Sequence, residues 1–254
     1  LGCPDWLQKL KDVKDSGIEL IEFNIGKDKI NDFSNAKDIT HIIHMASIAS
    51  PSFYRKYPIE TLDANIWGLR RLLDYYSTKN LKGFLMFWSS EVYGDPDPNF
   101  IPTKETYLGN VSTIGPRACY DESKRFGETL CVSFSKVHNV PVKIARPFNN
   151  YGPGLKINDG RVLPDFCSNI FLNQDIVLLS DGSPTRTFCY VSDAITGYFK
   201  ILFSVFNSSV DLIMANKSLG KQCPPKPKSP SGPGTDQWEL PNLLSNVAYS
   251  MTLS

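Results

Sequence analysis

The stretch GPRACYDESKR, residues 115–125, sets Tyr120 and Lys124 four positions apart. On a helix that spacing puts both side chains on one face, about one turn apart, so a phenol and an ammonium can address a single ligand. A tyrosine with a pKa near ~10 is a poor base at neutral pH, and a neighbouring positive charge favours its phenolate. The chemistry open to such a pair is removal of a proton from a hydroxyl. The same spacing also arises on any charged helix surface, and this one carries Arg117, Asp121, Glu122 and Arg125. The pair alone leaves both readings open.

A chain of 254 residues with 41% hydrophobic content can bury a full core, as one large domain or two small ones. Its formal net charge of +1 and the lack of an aromatic-interleaved basic stripe argue against nucleic acid and anionic membranes as partners. Small-molecule chemistry is the better expectation. Cys3, Cys119, Cys131, Cys167, Cys189 and Cys223 are scattered, without a C-x-x-C pair or histidines at zinc spacing. They read as reduced thiols of a cytoplasmic protein, and no metal is expected. The opening LGCPDWLQKLKDVKD has no apolar signal region, no run approaches a membrane span, and without an initial methionine the chain is expected to be a fragment.

Positioning the pair requires a scaffold, and the apolar pattern supplies one. Strand-like runs fall at 17–25 (GIELIEFNI), 40–47 (THIIHMAS), 82–90 (KGFLMFWSS) and 140–149 (VPVKIARPFN). Helical periodicity covers 59–77 and 120–138. Strands separated by helices imply βαβ units, hence an α/β fold with a Rossmann-like, doubly wound parallel sheet. Ligands bind such sheets beyond the carboxyl ends of the strands. There stand Ala46 and Ser47, Ser89 to Glu91, and Pro147 to Asn150. A Gly/Pro/Asn-rich loop at 151–164 precedes a predicted helix at 165–174 and a predicted strand at 175–183. KQCPPKPKSPSGPGTDQW lies in a tail, 207–254, too poor in apolar residues to offset its ordering entropy, and it is expected to be disordered.

Five ordered motifs, HMASIASP, WSSEVYGDP, the Tyr120–Lys124 pair, ARPFNNYGPG and SPTRTFCYVSDAI, resemble the extended short-chain dehydrogenase/reductase family over roughly 17–203. These are the NAD-dependent nucleotide-sugar epimerases, dehydratases and decarboxylases. SEVYGDP, IGPRACYDESKR and NDGRV resemble its UDP-glucuronate decarboxylase branch, the UDP-xylose synthases. The resemblance implies a partial NAD-binding domain over 1–146 and a substrate-binding region over 147–206 that returns to the sheet. It implies NAD as cofactor, a UDP-sugar as substrate, and a homodimer built from the two long helices in the full-length protein. Ser89, Glu91, Tyr120 and Lys124 take the catalytic positions. Asn24, Ala46, Ser47, Asn65 and Pro147, with Tyr120 and Lys124, border the cofactor. Ser90, Tyr93, Asn149, Arg161 and Arg186 face the nucleotide sugar.

Three departures shape the expectation. The 4,6-dehydratases carry an Asp-Glu pair before VYG, and here the pair is Ser90-Glu91; a hydroxyl does not do that acid's work, so decarboxylation is favoured. Glu60, in YPIETL, stands where the resemblance implies a basic residue, and a carboxylate facing a glucuronate would repel it. Gly2, Gly17 and Gly26 lack the spacing of the family's G-x-x-G-x-x-G loop, so weak dinucleotide binding is expected of these 254 residues. Alternatives are a 4-epimerase, a 4,6-dehydratase, or a catalytically silent homologue.

Overall fold

The computed structural model describes residues 19, 21–157, 160–178, 180–182 and 186–204. Three short apolar segments, β1 (His41–His44), β2 (Gly83–Phe87) and β3 (Val142–Ala145), form a parallel sheet in the order β1-β2-β3. Phe84 pairs with Ile42 on one side and Val142 on the other, and the register continues unbroken to Phe87 and Ala145. Each strand gives way to a connection at its carboxyl end, so residues that follow the strands collect along one edge.

Alternation along β2 feeds two cores. Phe84 and Met86, with Trp88 beyond the strand, pack with Val142 and Ile144 against Leu69, Leu73, Cys131 and Phe134. Leu85 and Phe87 face the other way, onto Ala194, Tyr198, Ile201 and Leu202. The first face is covered by a helical run comprising α2 (Pro58–Leu62), a π-helical segment (Asp63–Gly68) and α3 (Leu69–Tyr76), together with α4 (Ala118–His138). The second face is covered by α6 (Val191–Phe203). A sheet with helices on both faces is the expected doubly wound arrangement.

Lys143, buried on β3, donates from Nζ to the carbonyls of Leu202 at 2.9 Å and Ser204 at 2.5 Å. It thereby satisfies acceptors at the C-terminal end of α6 and fixes that helix to the sheet. β4 (Asn149–Tyr151) and β5 (Phe188–Tyr190) make a separate two-stranded parallel sheet, and α1 (Pro51–Lys56) and α5 (Val162–Phe171) complete the described elements of length.

Several boundaries differ from expectation. The strand expected at 17–25 is absent from residue 19 and residues 21–25: Asn24 organises a turn, accepting from Gly26 N–H at 3.0 Å on Oδ1 and from Lys27 and Asp28 N–H on its carbonyl. Its own side chain thus supplies the partner that a ladder would have supplied. The strand expected at 140–149 divides at Arg146–Phe148 into β3 and β4, which belong to different sheets. Residues 175–178, expected as strand, are exposed coil. Asn158, Asp159, Ser183 to Thr185 and the tail 207–254 lie outside the described residues.

Candidate active site

Ser89 lies two residues beyond β2 and opens a 3-10 turn, Ser90–Tyr93, by accepting from Glu91 N–H at 3.3 Å. Ser90 N–H donates to the Pro147 carbonyl at 3.1 Å, which ties this turn to the connection after β3. Tyr120 and Lys124 lie in the first two turns of α4, both buried, on the face turned to the sheet. Ser89 lies near enough to the Tyr120 hydroxyl to lower its pKa, and the Lys124 ammonium lies 5.4 Å from the Tyr120 ring centroid. The surface-charge reading of the Tyr/Lys spacing is thereby excluded. Serine, phenol and ammonium meet at the carboxyl edge of β2.

Burial sets the protonation of the pair. Desolvation pushes Tyr120 up to about 12, against the influence of Ser89, which lowers it, with Glu91, Asp121 and Tyr54 raising it further. Lys124 is pushed down to about 7 by burial. The expected lowering of the phenol by its neighbour is therefore not what the protein alone provides: by the pH at which Tyr120 titrates, Lys124 has lost its proton. Buried His44, on β1, is held down to about 4 by desolvation and then by Lys124, and stays neutral.

Glu91 forms an ion pair with Arg117, which also reaches Asp121 at 3.3 Å through Nε. Burial raises the Glu91 carboxyl, while Arg117 and, more weakly, Arg186 oppose that rise. Arg186, exposed just before β5, is thus within electrostatic reach of Glu91. Tyr54 of α1 stacks on Tyr120, with ring centroids 5.0 Å apart and 18° between planes. Its buried hydroxyl has no hydrogen-bond partner among the described residues. Sequence reading assigned no role to Arg117 or Tyr54. Arg117, in the quoted motif beside Tyr120, was the available signal; for Tyr54, 66 residues away, spacing offers none.

The other expected residues fall into groups. Asn65, fully buried in the π-helical segment, donates to Ser123 Oγ at 2.8 Å, and Ser123 Oγ donates to the Tyr120 carbonyl at 2.8 Å. It braces the helix that carries the pair, while its own Oδ1 is left unpartnered. Ser47 Oγ, after β1, is also buried without a partner, beside exposed Ala46. Asn149 donates from Nδ2 to the Thr187 carbonyl at 2.9 Å, joining β4 to the residue before β5. Tyr93 is a core residue whose ring lies under the Arg146 guanidinium, 4.9 Å away. Arg161 is exposed at the start of α5, and Asn24 is exposed in its turn. Glu60 is exposed on α2. No cluster of metal-ligating side chains occurs among the described residues.

The model of the NAD dependent epimerase/dehydratase family matches residues 6–210. The chain belongs to that family. Among curated proteins this family member is 39% identical to UDP-glucuronic acid decarboxylase 6 of Arabidopsis thaliana over 165 residues, covering 65% of this chain and 47% of the relative. It is 40% identical to UDP-glucuronic acid decarboxylase 1 of Xenopus tropicalis over 175 residues, covering 69% and 41%. The chain thus spans less than half the length of these relatives. Among solved structures, the UDP-N-acetylglucosamine 4-epimerase of Methanobrevibacter ruminantium superposes with a TM-score of 0.68 at 25% identity, over 84% of this chain and 66% of that one. The UDP-glucuronic acid 4-epimerase of Bacillus cereus, solved with NAD, superposes with a TM-score of 0.67 over 80% and 62%. At 23% identity the latter likeness speaks to the fold alone.

Proposed function

We propose that this family member carries the sugar-oxidising centre of an NAD-dependent UDP-glucuronate decarboxylase, a lyase that forms UDP-xylose through a 4-keto sugar. The observation that carries the reading is the meeting of Ser89, Tyr120 and Lys124 beside the Glu91–Arg117 ion pair. Similarity to two UDP-glucuronic acid decarboxylases supports the choice of substrate. Ser90, in place of a second carboxylic acid, supports decarboxylation over dehydration.

The residues beyond the strands suit a nicotinamide on the catalytic side. Ala46 is small, and Ser47 Oγ and Asn65 Oδ1 are buried without partners among the described residues. Bound NAD would supply the acceptor for the hydrogen of sugar C4 and give it back, so no net redox change occurs.

The protein's part is proton handling at O4. Tyr120 takes the proton of the 4-hydroxyl, with Ser89 donating to the same oxygen. Because burial holds Tyr120 as a phenol, its deprotonation depends on positive charge that the bound ligand brings to the site. The resulting 4-ketone is β to the C5 carboxylate. When the C5–carboxyl carbon bond breaks, its electrons pass into the C4 carbonyl, and CO₂ leaves. The oxygen that becomes negative is the one Ser89 and Tyr120 address, which lowers the barrier. Glu91, held by Arg117, orients the ring or relays the proton that restores C5. Glu60, exposed on α2, does not add a buried like charge to the site.

Incubation of the full-length protein with UDP-glucuronate and NAD, followed by mass spectrometry of the sugar nucleotide, tests this. UDP-xylose with release of CO₂ is expected. UDP-galacturonate would replace the reading with 4-epimerisation and leave the roles of Tyr120 and Lys124 in place. Binding of a UDP-sugar without any product would favour a silent homologue.

A further inference from the structure

Lys124 is buried to 3% exposure, yet among the described residues no carboxylate pairs with it. The groups that face it are rings. Its Nζ lies 4.6 Å from the Trp88 ring centroid and 5.4 Å from that of Tyr120, and it helps to hold His44 of β1 neutral. Trp88 is itself 3% exposed, and its indole Nε1 has no hydrogen-bond partner. An orphaned indole N–H is unfavourable, so hydrogen bonding does not account for the placement of this side chain. Contact between its face and a desolvated cation does.

The surroundings hold that contact in place. The backbone N–H of Trp88 donates to the Ala145 carbonyl at 2.7 Å, and the next residue, Ser89, acts on the Tyr120 hydroxyl. On α4, Gly127 lies three residues after Lys124; a Cβ there would stand 2.5 Å from Trp88 Cζ2 and closer still to Cη2. The helix therefore lacks a side chain where the indole needs room. We infer that Trp88 is a positioning residue for Lys124: its indole face holds the ammonium beside Tyr120 in place of a counter-ion. Its bearing on the reaction rests on the function proposed above, whereas the pairing itself does not.

The test reads the pair directly. The four tryptophan indole N–H signals are followed by NMR from about pH 5 to about pH 10, with Trp88→Phe identifying the one of interest. The Trp88 signal should titrate with the Lys124 ε-carbon, and that titration should vanish in Lys124→Met. In Trp88→Leu the Lys124 midpoint should fall by about one pH unit, because the ammonium loses its ring. A flat Trp88 signal, a titration that survives in Lys124→Met, or an unmoved midpoint in Trp88→Leu overturns the inference. If the indole titrates with Lys124 but no nucleotide sugar is converted, the proposed reaction falls and the positioning role stands.

Discussion

At the scale of single residues, the site trades stability for reactivity. Lys124 has its pKa lowered from 10.5 to about 7 by burial, so between those values the unfolded chain binds a proton that the folded chain does not. Stability therefore rises with pH across that window, and the full penalty is present below it. Lys124→Met should raise stability by about 2–4 kcal/mol at neutral pH, with the gain fading from about pH 7 to about pH 10.5. Thermal melts at pH 6, 8 and 11 measure it; a loss of stability at pH 6 would show that the ammonium is better solvated than its burial implies. Tyr120 makes the complementary case. Tyr120→Phe keeps the ring stacked on Tyr54 and removes only the hydroxyl, so folding should be nearly unchanged while kcat falls about 10²–10⁴-fold. Steady-state kinetics with UDP-glucuronate reads this, and wild-type turnover by the Phe variant would remove Tyr120 from the proton transfer.

At the scale of elements, what matters is how α4 is set against β2. The helix approaches closely because Gly127 offers no side chain to Trp88 and Leu69. Gly127→Ala should therefore overpack the contact and cost about 1–3 kcal/mol, even though alanine is the better helix former. The cost should largely disappear in the Trp88→Leu background, which vacates the space. Urea unfolding of the four proteins of this cycle gives the coupling, and additive costs would mean that the helix shifts instead of the indole. The three sheet strands were legible because HIIH, GFLMF and VKIA are short apolar runs placed between helical segments. The helix over 120–138 was legible from its period, and it begins at Ala118. Residues 21–25 and 175–178 misled for one reason: β-favouring composition describes a surface that fits a sheet, and no neighbouring strand engages these segments among the described residues. The π-helical segment Asp63–Gly68 was hidden too, since apolar spacing over six residues does not separate it from α-helix.

At the scale of the whole molecule, the open matter is what covers the outer side of the helical layer. Ser89, Tyr120 and Lys124 were visible as separate motifs, because a parallel sheet brings strand ends to one edge; Arg117 with Glu91, and Tyr54 on Tyr120, depend on packing that no spacing encodes. The apolar stripes expected to form a homodimer were likewise legible as stripes, but their destination was not. Leu69, Leu73 and Phe134 are spent on the chain's own core, and Leu62, Ile66, Leu72 and Leu130 are half-buried. Trp67, 61% exposed, and Phe126, 49% exposed, remain at the surface of this layer. We propose that these two, flanked by the half-buried leucines, contribute the centre of a symmetric contact between copies, as large aromatic side chains do in interface cores. Light scattering of the full-length protein at micromolar concentration should then give twice its chain mass. Phe126→Glu, which burdens an exposed position and leaves the core untouched, should give the monomer mass with an unchanged melting profile at high dilution. A monomer for the unaltered chain, or a dimer that tolerates the glutamate, would assign this face to something other than self-association.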